Sequence, residues 1–295
     1  MSGGPGATAT QTIGSAIVYT HRRPEVTRGV LQLLLEAASR KGIELRFDED
    51  EAIKHELDLS EANLTQSESD KPPADLCIVL GGDGTTLRFL RQFAGTGIPV
   101  FSINCGRVGF LATVDREVAD EGLERALTGQ FEVLKLSALL LGHEPDHEFA
   151  INEISFQRGA QMNVAHLAYS LAGEEVVRAP CDGLIAATPT GSTAYNLSAG
   201  GPILAWDLKG YVVSMVAPHA LSARAVVAAP EDVLRVTNNG GEAVEVVIDG
   251  MQTGSLEPGE SKEARFRADA VGLAQLPGST FYSRFREKLR LLTGA

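Results

Sequence analysis

The stretch Ser15 to Gly42, SAIVYTHRRPEVTRGVLQLLLEAASRKG, decides how the chain is read. Ser15 to Thr20 is a short apolar run bounded by polar residues, which predicts a strand. From Pro24 to Lys41 the apolar residues Val26, Val30, Leu33, Leu34 and Ala37 recur at helical spacing, and Gly42 supplies the stop. Downstream the pattern repeats. Ile43 to Phe47 and Ala74 to Leu80 read as strands, separated by an acidic, Ser-rich stretch from Asp48 to Lys71 that reads as a solvated connection. Gly84 to Ala94 reads as a helix, Ile98 to Asn104 as a strand and Asp115 to Thr128 as a helix. This alternation predicts an α/β N-terminal domain with a mostly parallel sheet covered on both faces.

Beyond residue 130 the character changes. Phe131 to Gly142, Phe149 to Arg158, Asn163 to Ala172, Glu174 to Thr188, Tyr211 to Ala217, Val233 to Asn238 and Glu242 to Asp249 read as successive strands, and only Gly191 to Ala199 invites a helix. A β-rich, sandwich-like C-terminal domain is expected. The expected organisation is a mobile tail over residues 1–14, an α/β domain over 15–130, a β-rich domain over 131–278 and a segment over 279–295. The aromatic and basic run in that last segment, Thr280 to Leu292, is expected to return to the first domain.

With 44% apolar and 22% charged residues the composition is that of a soluble globular protein. A net charge of −12 sets an unfavourable long-range field for nucleic acid. It also means that any phosphate site must rest on local backbone donors, local basic residues or a bound cation. Cys77, Cys105 and Cys181 are scattered, with no CxxC spacing, which suits a reducing cytoplasm. No apolar run approaches the ~20 residues of a membrane span, and no membrane partner is expected.

Three motifs carry chemistry. Leu80 to Arg88, LGGDGTTLR, lies where an apolar strand gives way to a helix. Gly81, Gly82 and Gly84 permit close backbone approach, and the helix start offers N–H groups to phosphate oxygens. Asp83 would repel phosphate unless it serves a metal or takes a proton from an attacking hydroxyl; the plainer reading is a helix N-cap. Neither a Walker A loop nor a G-x-G-x-x-G fingerprint is present. In Ala150 to Ser155, AINEIS, Asn152 and Glu153 can hold a ribose diol or simply mark a strand end. Cys181 to Pro202, CDGLIAATPTGSTAYNLSAGGP, joins a carboxylate, Asp182, to a turn rich in hydroxyls (Thr188, Thr190, Ser192, Thr193). Short hydroxyl and Gly residues beside a helix start suit a polar ligand lying close to the backbone.

Taken in order, GGDG, then Asn104 to Leu111 (NCGRVGFL), then NE, then DG…TPTGSTAYNLSAGGP, the chain resembles the NAD kinase family from its first strand to about Gly250. GGDG alone is shared with lipid kinases, whereas TPTGSTAY is far more specific. The resemblance implies phosphoryl transfer from ATP or inorganic polyphosphate to the 2′-hydroxyl of the adenosine ribose of NAD, giving NADP. It implies Mg²⁺ or another divalent cation, with metal ligands unassigned, and a cytoplasmic homodimer or homotetramer whose NAD pocket a neighbouring subunit completes. By the same resemblance Asp83 is the general base, and Gly81, Gly82, Gly84 and Thr85 cradle phosphates. Asn152 and Glu153 match the NAD-binding pair, Asp182, Thr190, Thr193, Ala194, Tyr195 and Ser198 match the rest of that pocket, and Phe110 lies near the adenine side. Asp249 matches a late DG. Arg88, counted with the nucleotide-binding residues, departs from the family by standing where many relatives carry an apolar residue.

A lipid kinase would be expected to carry a basic or amphipathic membrane-facing element, which this sequence lacks. A catalytically silent NAD sensor would have no need of Asp83.

Overall fold

The computed structural model describes residues 12–60, 63–66, 73–106, 109–142, 147–159, 163–220, 222–278 and 280–286. Residues 1–11 of the expected tail, 61–62 and 67–71 of the expected connection and 287–292 of the basic run lie outside the described residues. The chain divides into two compact units, Met1–Leu134 with Val271–Ala295, and Lys135–Ala270. Among the described residues no helix is long and apolar enough to cross a membrane.

The first unit is built on parallel strands. In chain order it contains β1 (Ser15–Thr20), α1 (Pro24–Lys41), β2 (Glu44–Phe47), α2 (Glu49–His55), β3 (Leu64–Gln66), β4 (Leu76–Gly81), α3 (Asp83–Gln92), β5 (Val100–Asn104), β6 (Val114–Asp115) and α4 (Ala119–Leu127). Pro24 opens α1, where its missing N–H costs nothing, and Gly42 closes it with φ of 67°. The face of α1 carrying Val30, Leu34 and Ala37 packs with Leu123 and Ala126 of α4 against Ala16 and Val18 of β1. Burying a residue such as Leu34 contributes about 1.5–3 kcal/mol. The alternate residue Tyr19 points to the opposite face, where its ring stacks on Phe89 of α3 at 3.9 Å. The sheet is therefore covered on both sides.

Strand order is β3-β2-β1-β4-β5, and every pairing along it is parallel. From β1 the chain winds outward to β3, then returns to place β4 on the other side of β1. Ligands of such sheets bind beyond the carboxyl ends of the strands where the winding reverses, which here means Thr20 and Gly81.

Two local readings need correction. The connection from Asp48 is not merely solvated, because it holds α2 and β3. Asp48 caps α2 by accepting the Glu51 N–H at 2.7 Å. Glu51 is buried, receiving the Thr20 N–H at 3.2 Å, the Thr20 hydroxyl at 2.8 Å and the Lys54 ammonium at 2.6 Å. At the amino end, Ile13 is buried and the Gly14 N–H donates to Asp75 Oδ2 at 2.9 Å, so the described residues 12–14 belong to the fold and not to a tail.

The second unit is antiparallel. Its strands are the greater part of β7 (Glu132–Leu141), then β8 (Glu148–Ala150), β9 (Glu153–Arg158), β10 (Ala165–Leu171), β11 (Glu174–Cys181), β12 (Gly183–Ala187), β13 (Tyr211–Val216), β14 (Val226–Ala228), β15 (Leu234–Asn238), β16 (Val244–Ile248), β17 (Met251–Leu256) and the first part of β18 (Ser261–Gln275). One layer has the order β14-β13-β12-β9-β16-β17, and β11, β10, β15 and β18 form the other. Their inner faces share one core of Phe156, Leu184, Tyr211 and Val246 against Leu167, Tyr169, Val236 and Ala264. The end of β18 belongs to the first unit, where Leu273 pairs in parallel with Val100.

The runs read as single strands over Phe149 to Arg158 and Glu174 to Thr188 are each two strands, broken at Ile151–Asn152 and at Asp182. The expected helix at Gly191 to Ala199 is one 3-10 turn, Gly191–Thr193, followed by the four-residue α5, Tyr195–Ser198.

Candidate functional site

In the first unit the candidate residues gather where the winding reverses. A concavity of about 600 Å³ is lined by Thr20, His21, Arg22 and Arg23 from the end of β1, by Gly82, Gly84, Thr85 and Arg88 from the start of α3, and by Cys105 and Gly106. Three arginines line this concavity in a chain with net charge −12, the Arg23 guanidinium 4.0 Å from Glu25 and that of Arg88 5.1 Å from the centre of the Phe89 ring, and such residues can supply the local cations that an anionic ligand requires. The first amides of α3 add donors and a positive dipole end. Arg22 and Arg23 were not singled out from the sequence. Their signal was two consecutive arginines one residue beyond the strand that pairs with the GGDG strand.

Asp83 is the first residue of α3, and Gly82 is the cap. The Asp83 carboxylate faces the 109–111 loop, where Oδ2 accepts the Phe110 N–H at 2.6 Å and Oδ1 accepts the Leu111 N–H at 3.0 Å. A side chain at Gly109 would collide with it, so this close approach requires glycine. Arg284 grips the same loop from its carbonyl side, donating to Phe110 O at 2.7 Å and Ala112 O at 2.6 Å. The helix-cap reading of Asp83 is thereby replaced: its side chain braces a loop 27 and 28 residues away. Each carboxylate oxygen keeps a second lone pair that can accept a proton.

In the second unit Asn152 and Glu153 sit at the turn between β8 and β9. Thr188 locks this turn, its N–H donating to Asn152 O at 2.9 Å and its hydroxyl to Ile151 O at 2.6 Å. Gly191 lies so close to the Asn152 carbonyl that a Cβ there would overlap it. From α5 the Tyr195 N–H donates to the Glu153 carboxyl. Asn152, Glu153, Thr190, Thr193, Ala194 and Tyr195 are thus brought together, with Ser198 at the end of α5. Burial first, and the charge of Asp249 second, push the Glu153 carboxyl up to about 8. At neutral pH Glu153 is therefore held mainly as the neutral acid, able to donate as well as accept a hydrogen bond, where a ribose-binding carboxylate would only accept.

Several hydroxyls read as ligand donors are used internally. Ser192 donates to Pro189 O at 2.6 Å and accepts the Leu204 N–H at 2.9 Å, while Thr193 donates to Thr190 O at 3.1 Å. Asp182 is not with the Asn152–Glu153 pair. Gly183 pairs with Gln157 and Ala187 with Glu153, which puts the length of β12 between them, roughly 17 Å at ~3.3 Å per residue. There Asp182 faces Arg158 at 3.3 Å.

The chain matches the family models for the ATP-NAD kinase N-terminal domain over residues 20–131 and the ATP-NAD kinase C-terminal domain over residues 151–267. It is 34% identical to the NAD kinase of Gemmatimonas aurantiaca, covering 92% of this chain and 94% of that one. It is 35% identical to the NAD kinase of Paraburkholderia phytofirmans, covering 93% and 92%. Among solved structures, an NAD kinase from Archaeoglobus fulgidus in complex with ATP superposes with a TM-score of 0.71 at 26% identity, over 94% of this chain and 98% of that one. A yeast NADH kinase solved with NADH shares the fold, with a TM-score of 0.83 at 22% identity over 96% and 88%. On the two family models and these relatives, the chain belongs to the NAD kinase family.

Proposed function

We propose that this NAD kinase moves the terminal phosphoryl group of ATP, or of inorganic polyphosphate, onto the 2′-hydroxyl of the adenosine ribose of NAD. The observation that carries the reading is the arginine-lined concavity at the reversal of the first sheet, with Asp83 at the first turn of its helix. The relative solved with ATP supports a nucleotide donor. Amides at Gly82, Gly84 and Thr85, with Arg22, Arg23 and Arg88, hold and neutralise the donor phosphates. Asp83 accepts the ribose proton as the new O–P bond forms and the bond to the departing bridging oxygen breaks, releasing ADP, or a polyphosphate one phosphate shorter. Asn152, Glu153 and the 188–198 segment hold NAD.

Among the described residues no three His, Cys, Asp or Glu side chains gather as a metal site. The donor set fits Mg²⁺ bound chiefly by the phosphates of the substrate, the usual habit of that ion, and not a protein-built cage. Mg²⁺ so bound would neutralise charge on the phosphates. The distance of Asp182 from the Asn152–Glu153 pair supports assembly into at least a dimer, in which Asp182 serves the NAD pocket of a neighbouring copy.

Incubation with NAD, Mg²⁺ and either ATP or polyphosphate, followed by detection of NADP, tests the reaction and its donor. Absence of NADP with both donors would overturn the assignment.

A further inference from the structure

Asp249 occupies the turn between β16 and β17 with φ of +48°, a conformation that Asp and Asn tolerate better than most residues. Its carboxylate accepts three successive amides, Ile151 N–H at 3.0 Å on Oδ2 and those of Asn152 at 2.7 Å and Glu153 at 3.1 Å on Oδ1. Its own N–H donates to Glu153 O at 3.0 Å. An ionised carboxylate offers about four lone-pair sites, and three serve the turn. Little is left for a ligand.

We propose that Asp249 is a positioning residue rather than an NAD ligand: it folds the turn carrying Asn152 and Glu153 around its carboxylate and, standing beside Glu153, keeps that side chain a hydrogen-bond donor towards NAD. The inference rests on the reading of Asn152 and Glu153 as the NAD-binding pair. Two buried atoms motivate it: Asn152 Oδ1 and Glu153 Oε2 have no hydrogen-bond partner among the described residues, a costly state that a polar ligand would relieve. The groups facing Glu153 are the Asp249 carboxylate and the Tyr195 amide, with uncharged Ala187 across the strand pair. Ionising Glu153 would set a second negative charge beside Asp249 in a buried place, so the proton stays and the carboxyl titrates at about 8. A neutral carboxyl presents one O–H, which requires an acceptor on the ligand. A hydroxyl oxygen or a ring nitrogen of adenosine meets that requirement.

The sign follows from the protonated form being the one that binds. NAD affinity is highest below that titration and falls as the pH rises through it. Removing the charge of Asp249 removes the second cause of the upward shift and leaves burial in place, so in Asp249→Asn the fall moves to lower pH. Glu153→Gln carries a donor that does not titrate, so its profile should be flat through the same range.

The experiment is the dissociation constant of NAD, by calorimetry on the full chain without ATP, from about pH 6 to about pH 10, a span that brackets the titration. Wild type, Asp249→Asn and Glu153→Gln are compared, each first checked for folding by its thermal transition. A wild-type inflection that moves down in Asp249→Asn and vanishes in Glu153→Gln supports the assignment. An inflection unmoved in Asp249→Asn, or one that persists in Glu153→Gln, overturns it. Glu153→Gln leaves the three-amide clamp intact and keeps the test decisive should Asp249→Asn fail to fold. Failure of the wild type to bind NAD would instead defeat the reading of the pair itself, which separates the two failures.

Discussion

Replacing Asp83 by Asn separates two roles that the structure gives to one side chain. The carboxylate accepts two amides, and it is the proposed acceptor of the ribose proton. Asn keeps one acceptor oxygen but turns an NH₂ towards the other amide, so one charge-assisted bond is lost and one N–H is left facing a donor. Loss of a hydrogen bond to a charged group costs about 1.5–3 kcal/mol, which should appear as a lower urea midpoint with an unchanged slope. Loss of the base should lower kcat by roughly 10²–10⁴ in protein that is still folded. Arg284→Ala supplies the control, because it frees the same loop from its carbonyl side without touching Asp83. NADP formation at saturating NAD and ATP, measured beside urea unfolding for both variants, distinguishes the effects. If Asp83→Asn retains kcat within a few-fold of wild type, or loses no more than Arg284→Ala does, the carboxylate is a brace only and the base assignment is wrong.

Other perturbations reach other parts of the molecule. Arg22→Ala with Arg23→Ala should raise the KM for ATP by about tenfold or more, the worth of one to two charge-assisted contacts, while leaving NAD affinity nearly unchanged; equal loss for both substrates in steady-state kinetics would refute the division. Gly191→Ala should destabilise the second unit by about 1–3 kcal/mol, because the added methyl meets the Asn152 carbonyl; an unaltered thermal transition would show that the turn can yield. His55, buried beside the Thr20 hydroxyl at 2.7 Å, has its imidazole lowered from 6.5 to about 4, chiefly by burial. A depressed folded value makes its contribution complete above 6.5 and lost as the pH falls towards 4, so urea stability should decline across that window and His55→Gln should decline less. Light scattering at assay concentration should find at least a dimer, and a fully active monomer would remove the proposed role of Asp182.

What could be read from the sequence depended on how far apart the cooperating residues lie. The strand and helix from Ser15 to Lys41 were legible because periodicity and the stop at Gly42 are local. Helix α2 was hidden because its buried residues are only Ala52 and the polar Glu51, which is satisfied from Thr20, 31 residues earlier. Strand β18 was hidden because its first half is largely exposed and its second half buried, so no single period runs through it. The motifs pointed to the candidate site, but the internal bonds that their side chains make were not legible. Nothing near GGDG tells that Asp83 braces residues 110 and 111, and nothing near Asp249 tells that it gathers amides 96 to 98 positions away. The hydroxyls of Thr188 and Ser192 looked like ligand donors because sequence cannot show that main-chain carbonyls of the same unit already receive them.

The cationic hollow in an acidic chain has a consequence for traffic as well as for holding. A nucleotide approaching from a distance meets the field of the whole protein, which opposes it, and meets Arg22, Arg23 and Arg88 only within the last few ångströms. Dissolved ions cut the first interaction before the second, because the screening length at 0.1 M is about 10 Å and contacts made at hydrogen-bond range feel it least. Modest salt therefore relieves the long-range opposition to capture, while it also weakens the hold of these exposed arginines, so ionic strength pulls the encounter and the grip in opposite directions.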